Sequence, residues 1–378
     1  MRREHFERLR PVCPTCRASG RPAADLRLGA IVVVDRNDED IREGVLICTE
    51  PLCQREHPII DGIPIVVADL PAWASHQLDA VLWRSDLSAF TESLLGDAAG
   101  PGSEFERQRT TLSAYGRVHW GDFDREEPLP REASLAALFD TALSLADSPS
   151  AEFAVGDLRS ADDSLDHGRP GDGVWLDLGC ALGRATYELA KCTRELVVGV
   201  DLSFAMLRVA EDARRHGRAS LPIRRVGLVF DRHEIVVPDT PAAHMSFWCC
   251  DVGNLPFADG TSGGALSLNV LDCVASPLQH LVEMGRVLST GASALLSTPY
   301  DWAATATPVA QWLGGHSQRG EAHGSSAAEL RRALKTVDTG LSIVAERDRV
   351  PWRVYVNERA SMDYAVHLLR LQRRPVTC

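Results

Sequence analysis

The chain has 378 residues, of which 45% are hydrophobic and 24% charged, as expected for a globular protein of one or two domains. No apolar run approaches the roughly 18 residues of a membrane span, and the basic N-terminus lacks the apolar core of a secretion signal. The formal net charge of −12 argues against a protein that grips many phosphates. We therefore expect a cytoplasmic protein that acts on a small molecule, not on nucleic acid or a membrane.

Four of the ten cysteines form two close pairs near the start of the chain. Cys13 and Cys16 are separated by two residues, and Cys48 and Cys53 by four. In a reducing compartment, two such pairs indicate a structural, tetrahedral zinc ion and not disulfides. We predict a small β-rich domain over residues 1–68. Its limited core would gain about 10–16 kcal/mol of apparent stability from the metal.

The end of this region carries a resemblance to a known family. Residues 58–64 spell Pro-Ile-Ile-Asp-Gly-Ile-Pro, with a turn predicted at residues 61–62. With the cysteine pairs, the segment 13–67 resembles the zinc-ribbon-like proteins that activate tRNA and protein methyltransferases. The resemblance implies a zinc-ribbon-like domain; the alternative is the same fold with its zinc site lost. His57 is interpreted as a strand-end residue and not as a fifth ligand.

Residues 69–150 are predicted to form a helical connector and substrate lid. Apolar residues recur at helical spacing over 78–94, and an amphipathic helix is predicted over 134–145, with Ser134 as its cap. The following residues, 148–172, are rich in Asp, Ser and Gly and are predicted to form a surface loop.

A strand, a glycine loop and a helix follow over residues 173–190. Strand residues 174–178 are followed by Gly179 and Gly183, which permit a tight turn and a close approach of a ligand to the backbone. Asp177 replaces the cation that a polyphosphate site would use, and the backbone of Cys180 and Ala181 would contact the ligand. A Rossmann domain that binds a nicotinamide cofactor is the alternative interpretation.

Acidic residues follow the next two strands. Asp201, with Leu202, ends the second strand, where its carboxylate could accept both hydroxyl hydrogens of a ribose. Asp251, with Val252, follows the third strand, and Asn269 lies in the fourth. Together with the loop, this series resembles the class I S-adenosylmethionine (SAM) methyltransferases.

The class I resemblance implies a fold and a cofactor. The expected fold is α/β and Rossmann-like over residues 151–378, with a seven-stranded sheet whose last strand is antiparallel. Asp201 would hold the ribose of SAM and Asp251 would lie beside its adenine. An inserted hairpin is predicted within residues 219–246. The segments 341–346 and 352–356 are predicted to be the closing antiparallel pair.

A more specific resemblance covers roughly residues 110–378. Residues 297–315 resemble the segment after the fifth strand in the mercaptohistidine methyltransferase domain of ovothiol biosynthesis. The loop 179–184, the stretch 269–272 and the Tyr-x-x-x-His-Trp-Gly segment 115–121 also resemble that domain. That family carries an iron-dependent sulfur-transfer domain ahead of it, where this chain has the cysteine module. The resemblance thus implies a small imidazole- or amino-acid-like acceptor in specialised (natural-product) metabolism, and not mercaptohistidine itself.

Methyl transfer to nitrogen requires that SAM and the acceptor be positioned together and that a protein group orient the acceptor. Asp272 is the first candidate catalytic residue, followed by His119 and Tyr300; Asp272 could instead cap a helix, and His119 could bind the backbone of the connector. The expected substrate-binding residues are all aromatic: Tyr115, Trp120, Trp302 and Trp312. Either tryptophan after the fifth strand, Trp302 or Trp312, could instead pack in the core.

Two other function classes remain open at this level. An RNA or protein methyltransferase could use the zinc module to bind its substrate, although the strongest basic run, residues 370–374, is short. A non-catalytic SAM-binding protein would not need the intact set of acids and glycines.

Overall fold

The computed structural model describes residues 1–35, 40–83, 87–146, 174–193 and 195–375. The predicted surface loop over 148–172 lies outside these residues. Among them, no helix is both long and apolar enough to cross a membrane.

The N-terminal region is a four-stranded antiparallel sheet preceded by two short helices. The strand order is β1-β2-β3-β4, and the two strands β3 and β4 meet at the predicted turn, where Asp61 and Gly62 both have positive φ. These elements are α1 (Arg3–Leu9), α2 (Pro14–Ala18), β1 (Leu26–Val34), β2 (Ile41–Cys48), β3 (Glu56–Ile60) and β4 (Ile63–Pro64).

Four helices connect this sheet to the second half of the chain. The single helical run predicted over 78–94 is divided between α3 and α4, because a second helix starts at Ser88, whose hydroxyl accepts the backbone N–H of Thr91. The helix predicted over 134–145 is α6, displaced by one residue. The helices are α3 (Leu70–Leu82), α4 (Ala89–Ala99), α5 (Glu104–Trp120) and α6 (Leu135–Ala146).

The second half is built on a seven-stranded sheet in the order β12-β13-β11-β10-β5-β6-β9. The five strands from β11 to β9 are parallel, and β13 runs antiparallel to β11. This confirms the predicted Rossmann-like methyltransferase fold with an antiparallel last strand. The strands are β5 (Val174–Leu178), β6 (Val197–Asp201), β9 (Met245–Cys249), β10 (Ser262–Leu268), β11 (Leu288–Thr298), β12 (Leu341–Asn357) and β13 (Ala360–Arg373).

Both faces of the sheet are covered, which is why β5 and β9 are continuous buried runs and not alternating ones. One face packs on α6 and on the two helices that follow β5 and β6; the other packs on the last two helices and the N-terminal module. These helices are α7 (Arg184–Cys192), α8 (Phe204–His216), α9 (Pro277–Val287) and α10 (Ser326–Thr336).

The predicted inserted hairpin is present as β7 (Arg218–Val226) and β8 (Val229–Val236), which pair in antiparallel register outside the main sheet. Its turn contains Gly227 at φ +55°. The hairpin is fastened to α5, since the backbone N–H of Arg224 donates to the Ser113 hydroxyl at 2.7 Å.

The prediction for the closing strand pair is wrong. The segments 341–346 and 352–356 belong to the same strand, β12, and their antiparallel partner is β13. The polar residues between them do not form a turn. They form a bulge, in which Arg349 has φ +59° and the register shifts between Arg347 and Val350. Arg370, from the predicted basic run, is 1% exposed within β13.

The N-terminal module is joined to the edge of the main sheet. Ile65 forms a parallel bridge with Cys249 of β9, and the Val66 N–H donates to the Cys249 carbonyl at 2.8 Å. The chain that leaves β4 thus continues the seven-stranded sheet for a short distance beyond β9.

Candidate functional site

The loop between β5 and α7 requires glycine at both predicted positions. Gly179 has φ +78° and Gly183 φ +81°, which side chains rarely adopt. A Cβ atom at Gly179 would lie 2.4 Å from Val270, and one at Gly183 would lie 2.7 Å from the Phe247 ring. The loop can therefore take this path only because both side chains are absent.

Asp177 ties the strand to the following helix. Its Oδ2 accepts the Thr186 hydroxyl at 2.6 Å, and the side chain is buried. Burial raises the pKa of this carboxyl to about 7. Cys180 is buried as well, and its backbone N–H donates to the Val200 carbonyl at 3.0 Å, so this residue shapes the loop through its main chain.

Asp201 joins the loop to the second strand. One carboxylate oxygen accepts the Ala181 N–H and the other the Ser203 N–H, both at 2.9 Å. Each oxygen retains a lone pair, so the carboxylate can still accept the two hydroxyls of a ribose. Burial raises its pKa against the opposite effect of these backbone donors. Leu202 follows at the exposed rim, and its carbonyl accepts the Trp73 indole N–H at 3.2 Å.

Asp251 and Val252 lie after the third parallel strand, next to the N-terminal module. Asp251 is exposed and accepts the Gly253 N–H at 2.8 Å, while Val252 is buried. The loop they begin touches the first cysteine pair: the Asn254 amide donates to the Pro14 carbonyl at 3.1 Å. The predicted adenine side of the site therefore rests on the predicted zinc module.

His119 and Trp120 lie beneath the glycine loop. Nδ1 of His119 accepts the backbone N–H of Arg184 at 3.2 Å, and the Trp120 indole donates to the Leu182 carbonyl at 3.1 Å. Trp120 is 1% exposed. Burial, then the charge of Arg184, lowers the pKa of His119 to about 3, so its ring is neutral. The predicted catalytic histidine thus holds the first turn of α7.

Arg184 is a central residue of this network that the sequence interpretation did not single out. Its guanidinium is fully buried, pairs with Asp122 at 2.5 and 2.7 Å and donates to Glu188 at 2.8 Å. It also lies 4.4 Å from the centre of the Phe123 ring. In the sequence, this ion pair was signalled only by the Gly-Arg pair at the end of the loop and by the Trp-Gly-Asp triplet at 120–122.

Asn269 lies directly after β10. It adopts φ +58°, and its Oδ1 accepts the Ser297 hydroxyl at 2.8 Å. Within the described part of the chain, its buried Nδ2 has no hydrogen-bond partner. Such an orphaned donor is costly unless a ligand completes it, and Ala181 and Tyr300 show the same left-handed backbone at neighbouring strand ends.

Asp272 anchors the segment that follows β11. Its two oxygens accept the Asp301 N–H at 2.9 Å and the Thr298 hydroxyl at 3.3 Å, and its carbonyl accepts the Ala303 N–H at 3.1 Å. The residue is 2% exposed, and burial raises its pKa. It does not cap α9; the Ser276 hydroxyl does.

Tyr300 is part of a chain of polar contacts across the last strands. Its hydroxyl lies 2.6 Å from Nδ1 of His367, whose Nε2 lies 3.1 Å from Glu346. Glu346 in turn pairs with Arg331 of α10 at 3.0 Å. Burial raises the pKa of Tyr300. His367, on β13, had no signal in the sequence because its partner is 67 residues away.

Trp302 and Trp312 stack on each other, with ring centres 6.0 Å apart and planes 15° apart. The Trp302 indole donates to Ser326 at 3.1 Å and the Trp312 indole to the Thr307 carbonyl at 2.8 Å. Both are half-buried and fold the segment after β11 against the start of α10.

Tyr115, on α5, is 42% exposed, and the remainder of the residue is buried. Burial there, then the neighbouring Cys273, Asp201 and Asp272, raises its pKa. The structure thus leaves Tyr115 within electrostatic reach of Asp201 and Asp272. It places His119 and Trp120 under the loop, and the two stacked tryptophans at the outer side.

The four predicted metal ligands are together. The sulfur atoms of Cys13, Cys16, Cys48 and Cys53 all lie within 4.8 Å of one another, with 3.9 Å between the first and last and 3.7 Å between the middle two. A tetrahedral tetrathiolate zinc with Zn–S near 2.3 Å has edges of about 3.8 Å, so the set fits this ion. His57 is buried in β3 and is not in the cluster.

Comparison with known proteins places a methyltransferase family model on the centre of this sheet. Residues 176–296 match the model described as "Methyltransferase domain". An "Uncharacterized 37.1 kDa protein in transposon TN4556" of Streptomyces fradiae is 33% identical over 142 residues, covering 37% of this chain and 33% of the relative. The chain thus spans about a third of the length of that curated relative.

Two solved structures also match. The [4+2]-cyclase SpnF is 16% identical, with 76% of this chain and 97% of that chain covered and a TM-score of 0.41. The complex of the Haloferax volcanii Trm112 methyltransferase activator with a putative methyltransferase is 16% identical, covering 64% and 96%, with a TM-score of 0.34. On the family match and the strand order together, residues 176–296 carry a methyltransferase domain with the class I, SAM-dependent fold.

Proposed function

We propose that the protein is a SAM-dependent methyltransferase that transfers a methyl group to a nitrogen of a small imidazole- or amino-acid-like acceptor. The observation that carries the proposal is the carboxyl edge of the sheet. There Asp201 accepts the Ala181 N–H of the glycine loop, and the buried Asn269 amide has no hydrogen-bond partner among the described residues. In open α/β sheets, ligands bind at that edge.

For the cofactor, we assign Asp201 to the ribose hydroxyls and Asp251 with Val252 to the adenine side. The main chain of the loop from Gly179 to Gly183 would line the rest of the ligand. Asn269 would donate its Nδ2 hydrogen to the ligand at the end of β10. When bound, SAM supplies a methyl group already activated on a sulfonium, so the chain has to bind, orient and exclude water.

For the acceptor, we assign Tyr300 as the orienting group and Asp272 as the residue that holds it. Asp272 fixes the backbone after Tyr300 through the Asp301 N–H. The hydrogen-bonded chain from Tyr300 to His367 and Glu346 offers a path for the proton that the acceptor nitrogen loses. We assign His119 to positioning the glycine loop, on its bond to the Arg184 N–H.

We further propose that the four cysteines bind one structural zinc ion. A closed tetrathiolate leaves no open position for a substrate, so the metal would stabilise the fold and take no part in methyl transfer. Specialised metabolism in the cytoplasm is the setting that this proposal implies.

Cofactor binding is tested by calorimetry with S-adenosylhomocysteine. Asp201→Ala removes a charged acceptor and should weaken binding about tenfold or more, roughly 1.4 kcal/mol. Asp97→Ala, which removes an exposed acid on α4, is the matched control and should bind as the wild type does. Equal affinity in all three proteins would contradict the cofactor assignment.

The acceptor class is tested by mass spectrometry after incubation with SAM and a set of histidine-like acceptors, with Asp201→Ala as the inactive control. A methylated small molecule is the expected product. The competing function, methylation of RNA or protein bound through the zinc module, predicts that label from SAM appears in an added RNA or protein fraction instead.

A further inference from the structure

A cavity of about 300 Å³ lies between the start of α6 and the β12–β13 hairpin. Its volume is at the lower end of the range for small-molecule sites. One wall is the start of α6 and the other is the hairpin. The residues that the argument uses are Ser134, Ala137, Leu138, Pro351, Trp352 and Tyr364.

The hairpin wall is aromatic. Trp352 and Tyr364 are directly opposite each other in the register of β12 and β13, so their side chains share one face of the hairpin. Leu138, on the opposite wall, is buried. Two adjacent rings facing an apolar helix form a slot suited to a flat ring, which can pack against the aromatic faces.

Tyr364 connects the cavity wall to the segment after β11 through hydrogen bonds. The Tyr364 hydroxyl donates to Asp301 at 3.0 Å, and the Asp301 N–H donates to Asp272 at 2.9 Å. Burial, then Asp301, Asp272 and Cys273, raises the pKa of Tyr364 to about 12. One end of this phenol thus lines the cavity, and the other end meets the acids beside the proposed site of methyl transfer.

The charge around the cavity is unfavourable for an anion. Glu132 and Asp363 are among its lining residues, and Arg353, the cation of the lining, is paired with Asp363. Asp301 is exposed and accepts the hydroxyl of Tyr364, a lining residue. An amine or a ring N–H could donate to Asp301, whereas a carboxylate there would be repelled.

We infer that this cavity holds the ring of the methyl acceptor, and that the acceptor is a small aromatic or heteroaromatic molecule bearing an amine or ring N–H. The inference rests on the proposed methyltransferase function and narrows its substrate class. The ring lies between Trp352 and Leu138, and the nitrogen points past Tyr364 toward Asp301 and the carboxyl ends of β10 and β11.

Three probes of similar size distinguish the contribution of an aromatic ring from that of a positive charge: benzylamine, cyclohexylmethylamine and benzoate. Their binding is measured by ligand-observed NMR on the full chain saturated with S-adenosylhomocysteine. We expect benzylamine to bind about tenfold or more tightly than either of the others. Equal binding of the three, or a preference for benzoate, would overturn the inference.

The site itself is tested by filling it. Ala137→Phe places a ring in the cavity and should weaken benzylamine binding about tenfold or more. Ser144→Phe adds the same ring to an exposed position on the same helix and should leave benzylamine binding unchanged. Benzylamine affinity that is unaffected by Ala137→Phe rules out this cavity, while the proposed function stands.

S-adenosylhomocysteine affinity reports folding and separates the two proposals, because the cavity lies outside the glycine loop. It should be the same in wild type and both variants. If Ala137→Phe does not fold, Trp352→Leu and Trp352→Phe replace it: the first should lose benzylamine binding and the second retain it. Failure of the wild type to bind S-adenosylhomocysteine would instead contradict the proposed function.

Discussion

At the scale of single residues, Gly183 has a left-handed backbone and closely packed surroundings, and both disfavour a side chain there. Gly183→Ala should lower SAM affinity about tenfold or more, because the new methyl would meet Phe247 and Ala210 at 2.7 and 2.9 Å. Gly227→Ala is the matched control, since that glycine also has positive φ but has no atom within 4 Å of the added Cβ. Calorimetry with SAM should show a loss in the first variant alone.

Variants of His119 distinguish a role in positioning the glycine loop from a role as catalytic base. His119→Leu leaves the buried Arg184 N–H without an acceptor and should cost about 1–3 kcal/mol of unfolding free energy, with weaker SAM binding. His119→Asn can place its Oδ1 near the position of Nδ1 and should recover most of both. A catalytic base would behave differently: both variants would lose turnover equally, and the acidic limb of the kcat–pH profile would disappear.

Asp177 makes the stability of the cofactor-free protein depend on pH. Its folded pKa is about 7, above the ordinary aspartate value of 3.8, so between these values the folded state holds a proton that the unfolded state has released. Stability from this group therefore falls as pH rises through that window, by at most about 1.4 kcal/mol per pH unit. His119, with a pKa lowered to about 3, acts in the opposite sense below pH 6.5. Denaturant titrations should show that the stability of Asp177→Asn rises more steeply between pH 4 and 6.5 than that of the wild type; parallel curves would argue against the raised pKa.

At the scale of elements, the segment after β11 should act on turnover without acting on cofactor binding. Asp272→Ala frees the Asp301 N–H and the Thr298 hydroxyl, so the segment that starts at Tyr300 loses its anchor. We expect kcat/KM for the acceptor to fall about tenfold or more, while SAM affinity changes less than twofold. A parallel loss of SAM affinity would mean that Asp272 supports the cofactor site as well.

The sequence predicted the elements whose signals are local. Continuous apolar runs followed by an acid predicted β6 and β9, and the two glycines predicted the loop before α7. The last strand pair was missed, because the polar stretch around Arg349 has the composition of a turn yet lies in a bulged edge strand held by β13. Pairing of that kind depends on residues far along the chain.

The same limit applied to the site. Cysteine spacing predicted four residues whose sulfur atoms do lie within 4.8 Å of one another. The acids were predicted from the apolar runs that precede them, which are local signals. Arg184 was not singled out, although the loop that contains it was, because its partner Asp122 lies 62 residues away. His367 had no signal, because its partner Tyr300 lies 67 residues away and a single histidine has no spacing pattern. The burial of His119 and Trp120 followed from the packing of α5 on the loop, which periodicity alone does not reveal.

At the scale of the whole molecule, the cysteine cluster and the cofactor site share a border. The Val12 N–H donates to the Pro256 carbonyl at 2.9 Å, and Arg17 pairs with Glu283 of α9 at 2.6 Å. We predict one zinc ion per chain by elemental analysis. Cys13→Ser, or removal of the metal by a chelator, should lower thermal stability and, through the 251–257 loop, SAM affinity. Cys192→Ser, a half-buried cysteine on α7, is the control; zinc-free protein of full stability would refute the metal site.

The short bridge between Ile65 and Cys249 has a consequence for solubility. Parallel strand β9 is the last strand of the main sheet, and an uncovered edge presents unpaired N–H and C=O groups on which another chain can build. The backbone after β4 occupies part of that edge. Expressing the methyltransferase region without residues 1–68 would leave it free, and we expect such a fragment to self-associate, which light scattering would detect. The N-terminal module would thus prevent self-association through the edge of β9, in addition to its effect on the cofactor site.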